Sequence, residues 1–218
     1  MSMPLQTGRS LSYRVAAAPA AARRLLVLCH GVGGNETNLA SLAARAPADT
    51  AVVLARAPLT LGPDQFAWFP VAFGSQGPRP DLAAAETSRQ RLASFVAEMQ
   101  AACGVEPDGT VLAGFSQGGI ISASVALTRP ELVAGFGVLA GRILPELEPQ
   151  LADREALGRI RAFIGHGRDD TKLPMDWAHR ADAWLTQLGI PHLTRLYTGD
   201  HGISPPMQDD FLDWLRHI

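Results

Sequence analysis

Thr110-Val111-Leu112-Ala113-Gly114-Phe115-Ser116-Gln117-Gly118 joins a short apolar, β-branched run to a serine set between glycines. Bounded upstream by Asp108-Gly109, residues 110–113 predict a buried strand. Residues 117–127 hold no proline, carry Ile120, Ile121, Ser124 and Val125 at helical spacing and stop at Arg129-Pro130, which predicts a helix. Between them, Gly114-Phe115-Ser116-Gln117-Gly118 fits G-x-S-x-G, the turn that exposes a serine between a strand and a helix. Such a turn strains the serine backbone, so the residues two before and two after must lack clashing side chains. It also aims the hydroxyl at a helix N-terminus, where backbone N–H groups can stabilise a negative oxygen. The plainer reading is a serine N-cap. The strand and helix on either side favour a nucleophile.

Outward from this turn, the apolar runs 25–29 and 51–55 predict buried strands, and residues 133–139, 161–164 and 192–197 predict three more. Helices are predicted over 35–45, 85–103 (ended by Gly104), 174–188 (ended by Gly189) and from Pro205-Pro206 to the last residue. Residues 58–80, with five prolines, read as a long irregular stretch carrying Phe66, Trp68, Phe69 and Phe73. The alternation implies one α/β domain over residues 1–218: a mostly parallel sheet, helices on both faces, and no large cap domain. Ligand chemistry is expected at the carboxyl ends of the strands.

Composition narrows the function classes. A formal net charge of −2 without a basic tract gives no reason to expect nucleic acid. The Ala/Pro stretch 15–22 is a poor targeting segment, and no stretch approaches the roughly 20 apolar residues of a membrane span. Cys29 and Cys103 are too few for a disulfide scaffold and suit a reducing, cytoplasmic setting. His30-Gly31-Val32-Gly33-Gly34 lacks the spacing of either phosphate-binding glycine motif, so no nucleotide, metal or organic cofactor is expected.

A serine nucleophile needs a base oriented by a carboxylate, in the chain order serine, acid, histidine. Of the later histidines, His179 falls within a helix, His192 begins a strand and His217 lies at the carboxyl end. His201, in the loop after the last strand, is the expected base. The acid is expected in Gly165-His166-Gly167-Arg168-Asp169-Asp170, where spacing alone does not separate Asp169 from Asp170. Asp200 is too close in sequence to His201 to pair with its ring.

Together, Leu28-Cys29-His30-Gly31-Val32-Gly33-Gly34, the GFSQG elbow, His166-Gly167-Arg168-Asp169-Asp170 and Gly199-Asp200-His201 resemble the phospholipase/carboxylesterase family of α/β-hydrolases, which includes small bacterial carboxylesterases and acyl-protein thioesterases. The resemblance runs from about residue 25 onward. It implies the α/β-hydrolase fold, a Ser116–Asp170–His201 triad and an oxyanion hole built from the N–H groups of Val32 and Gln117. Asp169 stays in reserve, because Thr171-Lys172-Leu173-Pro174 departs from the family's usual continuation. The resemblance also makes Trp68, Phe69 and Phe73 the expected walls of the acyl pocket. Arg142 reads as solvated, with a contact to a charged substrate group as the alternative. The expected activity is hydrolysis of short to medium carboxylic esters through an acyl-enzyme. Thioester or lysophospholipid hydrolysis is the nearer alternative and a non-catalytic binding protein the more distant one. The expected partner is a small ester, with no nucleic acid or membrane insertion; a homodimer is the association left open.

Overall fold

The computed structural model describes residues 3–74 and 77–218, and of residues 73, 74, 77 and 78 the backbone alone. Seven strands make the central sheet: β1 (Tyr13–Ala17), β2 (Arg24–Cys29), β3 (Thr50–Ala55), β4 (Thr110–Phe115), β5 (Gly135–Leu139), β6 (Arg161–Gly167) and β7 (His192–Tyr197). Their order is β1-β3-β2-β4-β5-β6-β7. β1 runs antiparallel to β3 and every other pairing is parallel. The strand that leads into Ser116 is therefore in the middle, with three strands on each side.

Alternation along β2 divides the interior in two. Leu25, Val27 and Cys29 join the cluster on one face, and Leu26 and Leu28 that on the other, all at most 1 % exposed. The first face is covered by α1 (Leu82–Cys103), α2 (Gln117–Thr128) and α3 (Asp176–Leu188). The second is covered by α4 (Pro205–Arg216), through Met207, Phe211, Leu212 and Leu215, and by the short helix Ala40–Ala43. Full burial of each such side chain contributes about 1.5–3 kcal/mol. α1 starts where Asp81 accepts a hydrogen bond from the Ala84 N–H, and it stops at Gly104, whose φ of 64° suits glycine. α4 begins with Ser204 accepting from the Met207 N–H, followed by two prolines that need no partner there.

Three elements differ from the sequence expectation. β1, where no strand is predicted and which overlaps the Ala/Pro stretch 15–22, is an edge strand with one buried side chain, Tyr13. Residues 58–80 are not irregular: they hold two hairpins, Leu59–Gly62 with Gln65–Ala67 and Val71–Gly74 with Gly77–Pro80. Each is too short to show alternation, and neither joins the main sheet. β6 runs on to Gly167 instead of stopping near 164, because β7 pairs with it up to Gly167↔Tyr197. The acid loop thus leaves the sheet within three residues of Asp170.

Candidate active site

β4 ends at Phe115 and α2 begins at Gln117, so Ser116 alone makes the turn, at φ 51° and ψ −116°. That conformation costs on the order of 1–3 kcal/mol, and close packing holds it. A Cβ on Gly114 would lie 2.6 Å from the Cys29 carbonyl oxygen, and one on Gly118 would overlap the same carbonyl. β2 therefore clamps the elbow from below. The Ser116 N–H is held by the Leu139 carbonyl at 2.9 Å.

The loops after β6 and β7 bring the other predicted residues to this point. His201 Nε2 lies 3.0 Å from Ser116 Oγ, and its Nδ1 lies 2.7 Å from Asp170 Oδ2. A carboxylate can only accept, so Nδ1 carries the ring hydrogen and Nε2 offers its lone pair to the serine hydroxyl. Asp170 is 6 % exposed, and its other oxygen accepts the N–H groups of Lys172 at 2.9 Å and Leu173 at 2.8 Å. Asp169 instead accepts from the Gly199 N–H at 3.1 Å and is exposed. Geometry thus separates the two aspartates that spacing leaves tied. Asp200, as expected, does not meet the His201 ring; it accepts from the N–H groups of Thr171 and His201, each at 2.7 Å, and so fastens the acid loop to the histidine loop.

Two buried histidines support this arrangement: His30, which the family resemblance makes a support of its own loop, and His166, whose role is not visible in the sequence. His166 Nε2 is 2.7 Å from the Leu173 carbonyl, which fixes its hydrogen there, and 3.2 Å from Asp170 Oδ2. His30 accepts the Ala57 N–H on Nε2 at 3.1 Å and donates from Nδ1 to the Gly31 carbonyl at 2.7 Å. Burial holds the His30 pKa below its ordinary value, in keeping with this neutral ring. The Gly31 carbonyl also accepts the Gly34 N–H at 3.2 Å. In a trans peptide the N–H points opposite to the carbonyl, so these bonds turn the Val32 N–H away from the loop interior. Neither that N–H nor the Gln117 N–H donates to another group among the described residues, and both residues line the cleft at Ser116.

That cleft has a volume of about 310 Å³ and is lined by Phe69, Phe115, Ile120 and Leu173 beside Ser116 and His201. The Phe115 ring lies 4.9 Å from that of His201. Trp68 does not wall it: the residue is fully buried, donating from its indole to the His30 carbonyl at 2.9 Å and from its N–H to Gln117 Oε1 at 2.8 Å. A buried indole N–H needs an acceptor, and the His30 carbonyl just past the end of β2 supplies it. The Gln117 side chain completes the clamp by donating to the Phe69 carbonyl at 2.7 Å. The Phe73 side chain lies outside the described residues. Arg142 is not solvated; it is 7 % exposed and forms part of the cleft wall. No helix among the described residues is long and apolar enough to cross a membrane.

Comparison with known proteins agrees with this architecture. Acyl-protein thioesterase 1 of Kluyveromyces lactis is 28 % identical over 183 residues, covering 78 % of this chain and 79 % of that protein. Among solved structures, esterase PE8 is 29 % identical with a TM-score of 0.80, covering 100 % of this chain and 98 % of that one. The carboxylesterase from Mesorhizobium loti, at 24 % identity, superposes with a TM-score of 0.83 over 99 % of both chains and shows the shared fold. The profile of the phospholipase/carboxylesterase family matches residues 12–218. With that match over an α/β-hydrolase sheet and its elbow, the chain belongs to the phospholipase/carboxylesterase family, hydrolases that act on ester bonds.

Proposed function

We propose that this chain is a serine carboxylesterase acting on esters of short to medium acyl length. The observation that carries the reading is the unbroken line from Asp170 Oδ2 through the His201 ring to Ser116 Oγ, at 2.7 and 3.0 Å. As Ser116 attacks the ester carbonyl, its proton passes to His201 Nε2, and Asp170 stabilises the imidazolium that forms. The Val32 and Gln117 N–H groups take the tetrahedral oxyanion, each contributing about 3–4 kcal/mol to the transition state. The tetrahedral species collapses, His201 returns the proton to the departing alcohol, and the acyl group stays on Ser116. Water, deprotonated by His201, then attacks the acyl-enzyme and the acid leaves.

A cleft of about 310 Å³ suits small acyl groups, since ligand pockets span roughly 300–1,000 Å³. Two free thiols, one buried and one half-buried, support a cytoplasmic setting. The test is a panel of p-nitrophenyl esters from acetate to palmitate, with fluorophosphonate labelling of Ser116. Short and medium chains should be turned over best, and Ser116→Ala should lower kcat roughly 10⁴-fold or more while the protein stays folded. Residual turnover near wild type would sink the proposal. A best rate on the longest chains would favour the second reading, a thioesterase or lysophospholipase using the same residues, which the Kluyveromyces lactis relative supports. Failure of Ser116 to label would favour a non-catalytic binding protein.

A further inference from the structure

The loop that leaves β5 takes a strained path beside the elbow. Ala140, fully buried and not a glycine, sits at φ 49°, and its N–H is held by the Gly165 carbonyl at 2.8 Å. Such a conformation persists where the surroundings over-determine it, and it is concentrated at functional positions. Gly141 then passes directly against the elbow: a Cβ there would lie 2.9 Å from the Ser116 carbonyl oxygen and 2.8 Å from Val138. The next residue, Arg142, enters the wall of the cleft that holds Ser116 and His201.

Arg142 is fixed there. Its guanidinium carbon lies 4.4 Å from the centroid of the Trp177 ring, and Arg180 approaches the same ring at 4.9 Å. Burial lowers its pKa from the ordinary value, while the charge of Glu146, which is not part of the cleft lining, acts to raise it. A guanidinium stays protonated at neutral pH even so. Lys172, on the acid loop, lines the same cleft. Among the described residues, the titratable side chains lining the cleft are thus Arg142, Lys172 and His201, with no carboxylate. A planar cation held against an aromatic ring and poorly reached by water is suited to a charge-assisted hydrogen bond with a carboxylate.

We propose that Arg142, assisted by Lys172, binds a carboxylate carried by the substrate, so that this cleft selects anionic esters over neutral ones. The inference rests on the esterase reading and names its substrate class.

The test compares matched pairs on the full-length protein: mono-p-nitrophenyl glutarate against methyl p-nitrophenyl glutarate, and 4-acetoxybutyrate against its methyl ester. The first pair carries the charge on the acyl side and the second on the alcohol side. In wild type, at least one charged member should exceed its capped partner about tenfold or more in kcat/KM, as expected for one charge-assisted bond. Arg142→Met should reduce that ratio by a similar factor, and Arg142→Lys should reduce it less. Wild-type ratios at or below one, or a ratio unchanged in Arg142→Met, overturn the assignment. Glutarate binding by calorimetry gives a second readout on unmodified protein and stands even if Arg142→Met fails to fold; no detectable binding to wild type counts against the proposal. If no ester is turned over and Ser116 does not label, the esterase reading itself has failed. Turnover of capped esters without any charge preference removes the Arg142 assignment alone.

Discussion

Replacing Asp170 by asparagine exchanges one oxygen for a donor in a site where the structure has no acceptor to spare. The amide oxygen is claimed by the Lys172 and Leu173 N–H groups, which approach one carboxylate oxygen at 2.9 and 2.8 Å. That leaves the NH₂ facing His201 Nδ1, 2.7 Å from the present Oδ2, and His166 Nε2, 3.2 Å from it. The Leu173 carbonyl fixes the His166 hydrogen, so His166 cannot turn acceptor there. His201 can accept only by moving its hydrogen to Nε2, which faces Ser116 and then has no lone pair to take the serine proton. The expected loss is roughly 10⁴-fold in kcat, or about 5.5 kcal/mol in the barrier. The opposing donors at His166 add about 1–3 kcal/mol of instability, lowering Tm by several degrees. The assay is p-nitrophenyl butyrate hydrolysis under saturation, with thermal unfolding alongside and Asp169→Asn as comparison. The exposed Asp169 side chain accepts from the Gly199 N–H, and its variant should stay within roughly threefold of wild type. More than about a tenth of wild-type activity in Asp170→Asn, or an equal loss in Asp169→Asn, would refute this assignment of the acid.

Two further outcomes follow from the scaffold. Glu36 is 2 % exposed; burial raises its pKa, but hydrogen bonds from Arg56 and Arg14 more than offset this and bring it down from 4.5 to about 2. A depressed carboxylate pKa stabilises the fold above its unfolded value, so about 3 kcal/mol should be lost as pH falls from 4.5 towards 2. Urea unfolding at pH 6 and pH 2.5 should show this loss in wild type and not in Glu36→Gln; equal pH dependence in both would count against it. Trp68→Phe removes the indole donor from the buried His30 carbonyl, and should cost about 1–3 kcal/mol of stability while leaving KM for small esters within roughly threefold. A large rise in KM at unchanged Tm would show Trp68 to be a pocket wall after all.

The elbow was legible because its constraints are local. Strand, serine, helix and the two flanking glycines lie within a few residues, and backbone sterics alone require small residues where Gly114 and Gly118 stand. The order of serine loop, acid loop and histidine loop was legible for a related reason: parallel strands joined by helices bring their carboxyl ends to one edge. Spacing did not choose between Asp169 and Asp170, since both fit the loop and differ only in whether β6 and β7 turn a carboxylate inward; the family resemblance pointed to Asp170. The withdrawal of Trp68 was not legible, since its apolar ring and single N–H fit a pocket wall and a buried brace equally well.

Ser116 and His201 meet across 85 residues of chain and Asp170 and His201 across 31. Residue types and their order named Ser116 and His201 as partners, because the chemistry of a serine nucleophile admits few others, and the family resemblance added Asp170. Contact, by contrast, depends on how neighbours fill space. The positive φ of Ala140 and the ring of Trp177 bring Arg142 into the cleft wall, a position that arises from packing between segments distant in sequence. Local sterics and spacing therefore specify the serine and its turn, while long-range packing decides which aspartate meets His201 and which cation lines the cleft.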